Sequence, residues 1–222
     1  MGFHFSGQKP MPIQHLSRLV MLAFGAACAV AQAAPLSVHV TDAAGKPVPD
    51  AVVSLEADGG QALPKPLRAG EISQKGLKFI PLVTVIQTGS KIYFPNNDKV
   101  RHHIYSFSAP HKFDQKLYSG TTADPQTFDK PGTVVLGCNI HDKMVAYVRI
   151  VDTPYFGKTD AGGNAVLDAP GGKYLLKAWH PDLVGGQALE QAQRLSDSAA
   201  SASFKMTLKP PSTDVDAQSN DF

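Results

Sequence analysis

The sequence predicts an all-β chain. Apolar residues recur at every second position, short β-branched runs sit between turn formers, and hardly any long stretch has helical spacing. With 43% apolar residues, 19 Gly and 17 Pro among 222 residues, the composition is that of a globular protein rich in turns. Leu36, Val38 and Val40 alternate with polar residues, as do Phe204, Met206 and Leu208 near the other end. Lys91-Ile-Tyr-Phe, Val83-Thr-Val-Ile and Thr133-Val-Val-Leu are further strands between them. Gly185 to Ser201 carries few large apolar groups after Leu189 and reads as a polar loop before the last strand. The tail 210–222 has too little apolar content to pack and is expected to be disordered.

Residues 1–33 read as a secretory signal peptide. Lys9 and Arg18 supply positive charge, Leu19 to Val30 form an apolar run, and Ala31-Gln32-Ala33 offers small residues for cleavage after Ala33. The run is shorter than the roughly 20 residues that span a bilayer, so no permanent membrane span is expected. A lipoprotein with Cys28 as the lipidated residue is the alternative, weighed against the missing leucine of that pattern. Export places the protein in the periplasm. Losing Lys9 and Arg18 from the 21 basic residues leaves the remainder matched to the 19 acidic ones. A formally neutral chain without a Lys/Arg cluster is not built for nucleic acid.

Cysteine usage is the sharper signal. Without the leader only Cys138 remains, in a compartment where thiols normally oxidise into pairs. A buried cysteine acting as a small hydrophobe is the bland reading. A lone exported thiol gives more weight to a metal ligand or reactive group.

Two distant segments read as halves of one small module. Val38-His-Val-Thr-Asp42-Ala-Ala-Gly45-Lys-Pro47 through Leu55 sets a Gly-centred turn between two strands; Thr159-Asp160-Ala-Gly-Gly163, Leu167 and Pro170 through Trp179 supply the rest. Together they resemble the carboxypeptidase regulatory-like, transthyretin-like β-sandwich, split open after Leu55. The expected order is a leader (1–33), the first part of that sandwich with a linker (34–70), an inserted domain (71–152), the second part (153–209) and the tail.

The inserted domain carries the chemistry. Gly137-Cys138-Asn139-Ile140-His141-Asp142-Lys143-Met144 sets a thiolate, an imidazole and a thioether in one loop. Two imidazoles, a thiolate and a weak axial thioether make up a type 1 copper site, because the sulfur ligands favour Cu(I) while imidazole suits both oxidation states. The second imidazole is available at His102 or His103, after the turn Asn96-Asn97-Asp98. Taken singly, a Cys near a His is usually accidental, and a Met is usually core packing. Their order along one chain is what raises the odds. His39, His111 and His180 have no partner spaced for a second site and read as surface or structural residues.

On these residues, 71–152 resembles the cupredoxins of the plastocyanin and amicyanin type, and the stretches His-His-Ile-Tyr-Ser-Phe and Asp-Thr-Pro-Tyr-Phe resemble methylamine-utilisation-type members. The resemblance implies a Greek-key β-sandwich holding one copper ion through His102, Cys138, His141 and Met144, with His103 as the alternative early ligand. It also implies an apolar patch near His141 where redox partners dock. Arg101 and His103 stand where the family commonly has Pro and the Asn that ties the two ligand loops together. The function implied is one-electron transfer between periplasmic redox proteins, a dehydrogenase or a cytochrome c. Copper storage, delivery or sensing is the alternative, and a structural module with an incidental site is a second rival. With four protein ligands filling the metal and no Ser/His/Asp set or paired carboxylates, an enzyme is not expected.

Overall fold

The computed structural model describes residues 1–2, 34–60, 64, 69–119 and 124–210. The expected signal peptide (1–33), apart from its first two residues, and the expected tail beyond Pro210 lie outside them. The chain is all-β, with β1 (Ala34–Asp42) and β2 (Val52–Ala57) followed by a central run of strands. That run comprises β3 (Gly70–Glu71), β4 (Ser73–Gln74), β5 (Phe79–Ile80), β6 (Val83–Gln87), β7 (Ser90–Tyr93), β8 (His102–Ser106), β9 (Phe113–Tyr118), β10 (Gln126–Phe128), β11 (Gly132–Cys138) and β12 (Val145–Val151). The chain then returns through β13 (Phe156–Lys158), β14 (Asn164–Ala169), β15 (Gly172–Trp179), β16 (Leu189–Leu195) and β17 (Ala200–Met206). Among the described residues no helix is long and apolar enough to cross a membrane.

The central strands form a five-stranded sheet, ordered β6-β12-β11-β8-β9, and a three-stranded sheet, ordered β10-β7-β3. Ile92 and Phe128 of the smaller sheet share one apolar cluster with Ile104, Val134, Leu136, Val148 and Ile150 of the larger, which makes the pair a β-sandwich. Side chains alternate across a strand, so burial fixes which residues face inward. On β11 the inward set is Val134, Leu136 and Cys138; on β8 it is His102, Ile104 and Ser106. Cys138 pairs with Ile104 and Gly137 with Tyr105 in the ladder.

The flanking strands form two more sheets, β14-β1-β17 and β13-β2-β15-β16. Their shared core is mostly aliphatic, with Leu36, Val38, Val53, Leu55, Leu167, Leu176 and Met206 in one cluster beside Tyr174 and Phe204. Both predicted turns are present. Asp42 Oδ1 accepts the amides of Ala44 and Lys46, each at 2.8 Å, and Asp160 Oδ1 accepts those of Gly162 and Asn164, each at 2.9 Å. At Gly163 the turn needs φ of +73°, and a Cβ would stand 2.4 Å from the Val40 carbonyl, so only glycine fits.

One expectation is corrected. Residues 189–195 are not a loop but the edge strand β16, paired with β15 from Gly172↔Leu195 to Ala178↔Leu189. Leu189-Glu-Gln-Ala-Gln-Arg-Leu195 shows no apolar alternation because the strand covers little of the core. Backbone pairing places it there, and a polar sequence suits an exposed edge.

The central and flanking strands meet at a small third cluster of Val52, Val83 and Trp179, against which Tyr147 packs. The Arg149 guanidinium lies 5.3 Å from the Trp179 ring centre, a cation–π contact from the outer face of β12.

Candidate metal centre

The inward alternation of β11 ends at Cys138, which is 2% exposed and unpaired. On the neighbour strand β8, two residues before Ile104, which pairs with Cys138, the same alternation buries His102 completely. The 139–144 loop then doubles back: Met144 N donates to His141 O at 2.9 Å, which presents the His141 ring beside the sulfur. Cys138 Sγ lies 3.7 Å from His102 Nδ1 and 3.6 Å from His141 Nδ1. The ligand atoms of the three residues all lie within 4.8 Å of one another, the one such His/Cys/Asp/Glu cluster among the described residues. Met144, 2% exposed, sits in the same apolar cluster as Cys138.

These spans suit a shared ion. With metal–sulfur and metal–nitrogen bonds of about 2.3 and about 2.0 Å and a trigonal angle near about 120°, sulfur and nitrogen stand about 3.7 Å apart. The donor set, one thiol with two imidazoles and a nearby thioether, is that of a type 1 copper centre.

His103 takes no part in the cluster. It falls on the opposite face of β8 and pairs with the Asp114 carboxylate. Its main chain does something else: the His103 carbonyl accepts the Asn139 amide at 3.2 Å, linking β8 to the ligand loop. A backbone bond thus ties the two stretches together, whatever side chain stands at this position. The other described histidines also lie apart. His39 Nδ1 bonds the Asn164 amide oxygen at 2.9 Å, His111 packs on Phe128, and His180 accepts the Asp182 amide at 3.1 Å.

Asp98 is the functional residue that sequence reasoning missed. His102 Nε2 lies 2.8 Å from Asp98 Oδ2. A carboxylate there assigns the ring proton to Nε2, which leaves the Nδ1 lone pair aimed at the sulfur and free to ligate. Asp98 is itself anchored, accepting the amides of Gly76 at 2.6 Å and Leu77 at 3.0 Å. Burial pushes its pKa up, but the Leu77 amide, the His102 ring and the Gly76 amide outweigh that and hold it below the ordinary carboxylate value. Asn96, 3% exposed, shapes the turn by donating to the carbonyls of Val100 and Tyr118. The Asp98-x-x-x-His102 spacing was the available clue, but the anchoring amides come from a hairpin about twenty residues upstream.

Gly137 explains its own identity. A Cβ there would lie 2.7 Å from Tyr105 Cζ, so the ring of Tyr105 covers the backbone next to the sulfur only because no side chain intervenes.

No protein-family model matches the chain, and no curated protein matches it in sequence. Among solved structures it is similar to a purple cupredoxin from Nitrosopumilus maritimus, at 20% identity over 37% of this chain and 99% of that one, TM-score 0.33. Amicyanin from Paracoccus versutus matches at 17% identity over 44% of this chain and 91% of its own, TM-score 0.35. A Cu-containing nitrite reductase from Thermus scotoductus SA-01 matches at 25% identity over 51% of this chain but 28% of its own, TM-score 0.36. These likenesses are to cupredoxins and cover at most about half of the chain.

Proposed function

We propose that this chain is a type 1 copper protein that carries single electrons between redox partners. The observation that carries the reading is the convergence of the Cys138 sulfur and the His102 and His141 nitrogens within 4.8 Å. His102, Cys138 and His141 would hold the ion, with Met144 as a weaker fourth ligand. Copper bound by such a set supplies a one-electron couple.

The chain's part is to fix the ligands beforehand. Cys138 and His102 stand on paired strands of one sheet, so their separation is set by a β-ladder rather than by a loop. Asp98 fixes the tautomer and orientation of His102. Burial of Cys138, His102 and Met144 keeps water away, while half-buried His141 offers the shortest way to the surface. Exposed Ile140 beside it supplies the apolar contact that a docking partner would cover. Four protein ligands leave no open position for substrate, so the reading is a carrier and not an enzyme. We place it in the periplasm, after removal of residues 1–33, with a dehydrogenase or cytochrome c as partner. The flanking sheets, on this reading, form a carboxypeptidase regulatory-like module into which the copper domain is inserted.

Repeated cycles of reduction by ascorbate and oxidation by hexacyanoferrate(III), run beside a copper chelator, test the proposal. A carrier keeps its copper through many cycles. Steady loss to the chelator would instead favour copper delivery.

A further inference from the structure

We infer that the metal-proximal end of the central sandwich is a basic docking face whose redox partner presents an acidic surface. The inference rests on the carrier reading and adds the chemistry of the partner. It starts from the loops that build the site. The 75–78 hairpin gives its Gly76 and Leu77 amides to Asp98, and Asp98 in turn holds His102. Four of the residues flanking those contacts are basic and exposed: Lys75 and Lys78 on the hairpin, Lys99 beside Asp98, and Arg101 beside His102. Lys143 on the ligand loop is exposed as well.

The acids at this end do not cancel that charge. Asp98 is turned inward, with its side chain 13% exposed and committed to His102, and exposed Asp114 is engaged by His103, which leaves Asp142 on the ligand loop as the remaining acid. Lys75, Lys78, Lys99 and Arg101 form no ion pair among the described residues. Around the ligands five Lys and Arg residues stand against three acids, while the rest of 69–152 has five against four, so most of the positive excess of this segment sits around the ligands. The flanking strands lean the other way, with acids such as Asp42, Asp58, Asp168 and Asp197 exceeding their bases. Since the entire chain carries a formal charge of only +2, this separation is local polarity and not bulk charge. A patch of one sign within about a Debye length of the electron's exit steers oppositely charged partners, typically raising association about 10- to 1,000-fold.

The test is stopped-flow oxidation of the copper-loaded, reduced protein by two small complexes of opposite charge, hexacyanoferrate(III) and tris(phenanthroline)cobalt(III). Between about 0.01 and about 0.3 M salt, where screening shortens from about 30 Å to well under about 10 Å, the rate with the anion should fall about tenfold. The rate with the cation should stay level or rise. Lys75→Glu/Lys99→Glu/Arg101→Glu should reverse the two slopes. Lys46→Glu/Lys173→Glu/Lys205→Glu, the same charge change placed on exposed residues of the flanking strands, should leave them nearly unchanged. Should the first triple variant fail to take up copper, Lys75→Glu alone is read by the same slopes, with a smaller change in the same direction. Equal effects of the two triple variants, or no salt dependence in the parent protein, overturn the proposal while the carrier reading stands. A parent protein that takes up no copper overturns both.

Discussion

The two halves of the molecule differ in what their buried polar groups meet. In the flanking sheets such groups close on the main chain: the Thr159 hydroxyl donates to the Val48 carbonyl at 2.7 Å and accepts the Ala51 amide at 2.9 Å, while the Thr153 hydroxyl donates to the Leu55 carbonyl at 2.6 Å. In the central half Asn96 also closes on the main chain, at the Val100 and Tyr118 carbonyls, but the Cys138 thiol faces the imidazoles of His102 and His141 instead, at 3.7 and 3.6 Å. The buried side-chain atoms without a hydrogen-bond partner among the described residues, on Gln74, Thr84 and Gln115, also all belong to the central strands. Polar groups that close on the backbone specify a fold. Polar groups that converge without closing ask for something from outside.

That contrast can be broken on either side. The largest effect expected is from Cys138→Ser, which removes the one sulfur between the two imidazoles. Copper–thiolate absorption should vanish completely, while the far-ultraviolet circular dichroism of the metal-free chain stays that of a β protein, because both apolar cores remain. Leu176→Ala does the converse. Leu176 is fully buried in the flanking core, and its truncation should cost about 2–5 kcal/mol in denaturant unfolding while leaving the position of the copper absorption unmoved. A change in that absorption would show that the flanking core governs the site.

Asp98→Asn probes the seam between fold and chemistry. An amide can still reach His102, but it no longer fixes the ring proton on Nε2. Copper affinity should fall about 10- to 100-fold in competition with a chelator, with the absorption retained. Unchanged affinity would mean that Asp98 serves only the turn.

The smallest effect belongs to His180 in the flanking half. Burial lowers its pKa below the ordinary value, opposed by Asp182 and Asp50. Below about pH 6.5 the unfolded chain therefore binds a proton that the folded chain resists, so stability declines as pH falls through that region toward the folded pKa. His180→Gln should flatten this part of a Tm-against-pH curve for the metal-free protein. An unaltered curve would remove His180 from the account.

Which parts of this were legible beforehand follows from how local each signal is. Strand alternation is written residue by residue, so Leu36-x-Val38-x-Val40 and Thr133-Val-Val-Leu announced themselves. The Cys138-x-x-His141-x-x-Met144 loop is equally local. The Asn turn favours His102 over His103, and the phase of β8 agrees: His102 shares its face with Ile104, and His103 does not. Strand β16 could not be read, because a polar edge strand differs from a loop only by the partner it pairs with. Asp98 was hidden for a related reason, since the amides that anchor it arrive from a separate hairpin. Likewise, nothing local joins Trp179 to Tyr147 and Arg149, which lie in different strands roughly thirty residues apart.

The most direct measurement is titration of the purified, reduced-thiol protein with Cu(II) under visible absorption. The site described predicts an intense copper–thiolate band that grows linearly and saturates at one copper per chain. A correctly folded protein that stays colourless, or that binds copper without that band, would contradict the claim that Cys138, His102 and His141 meet around one metal ion.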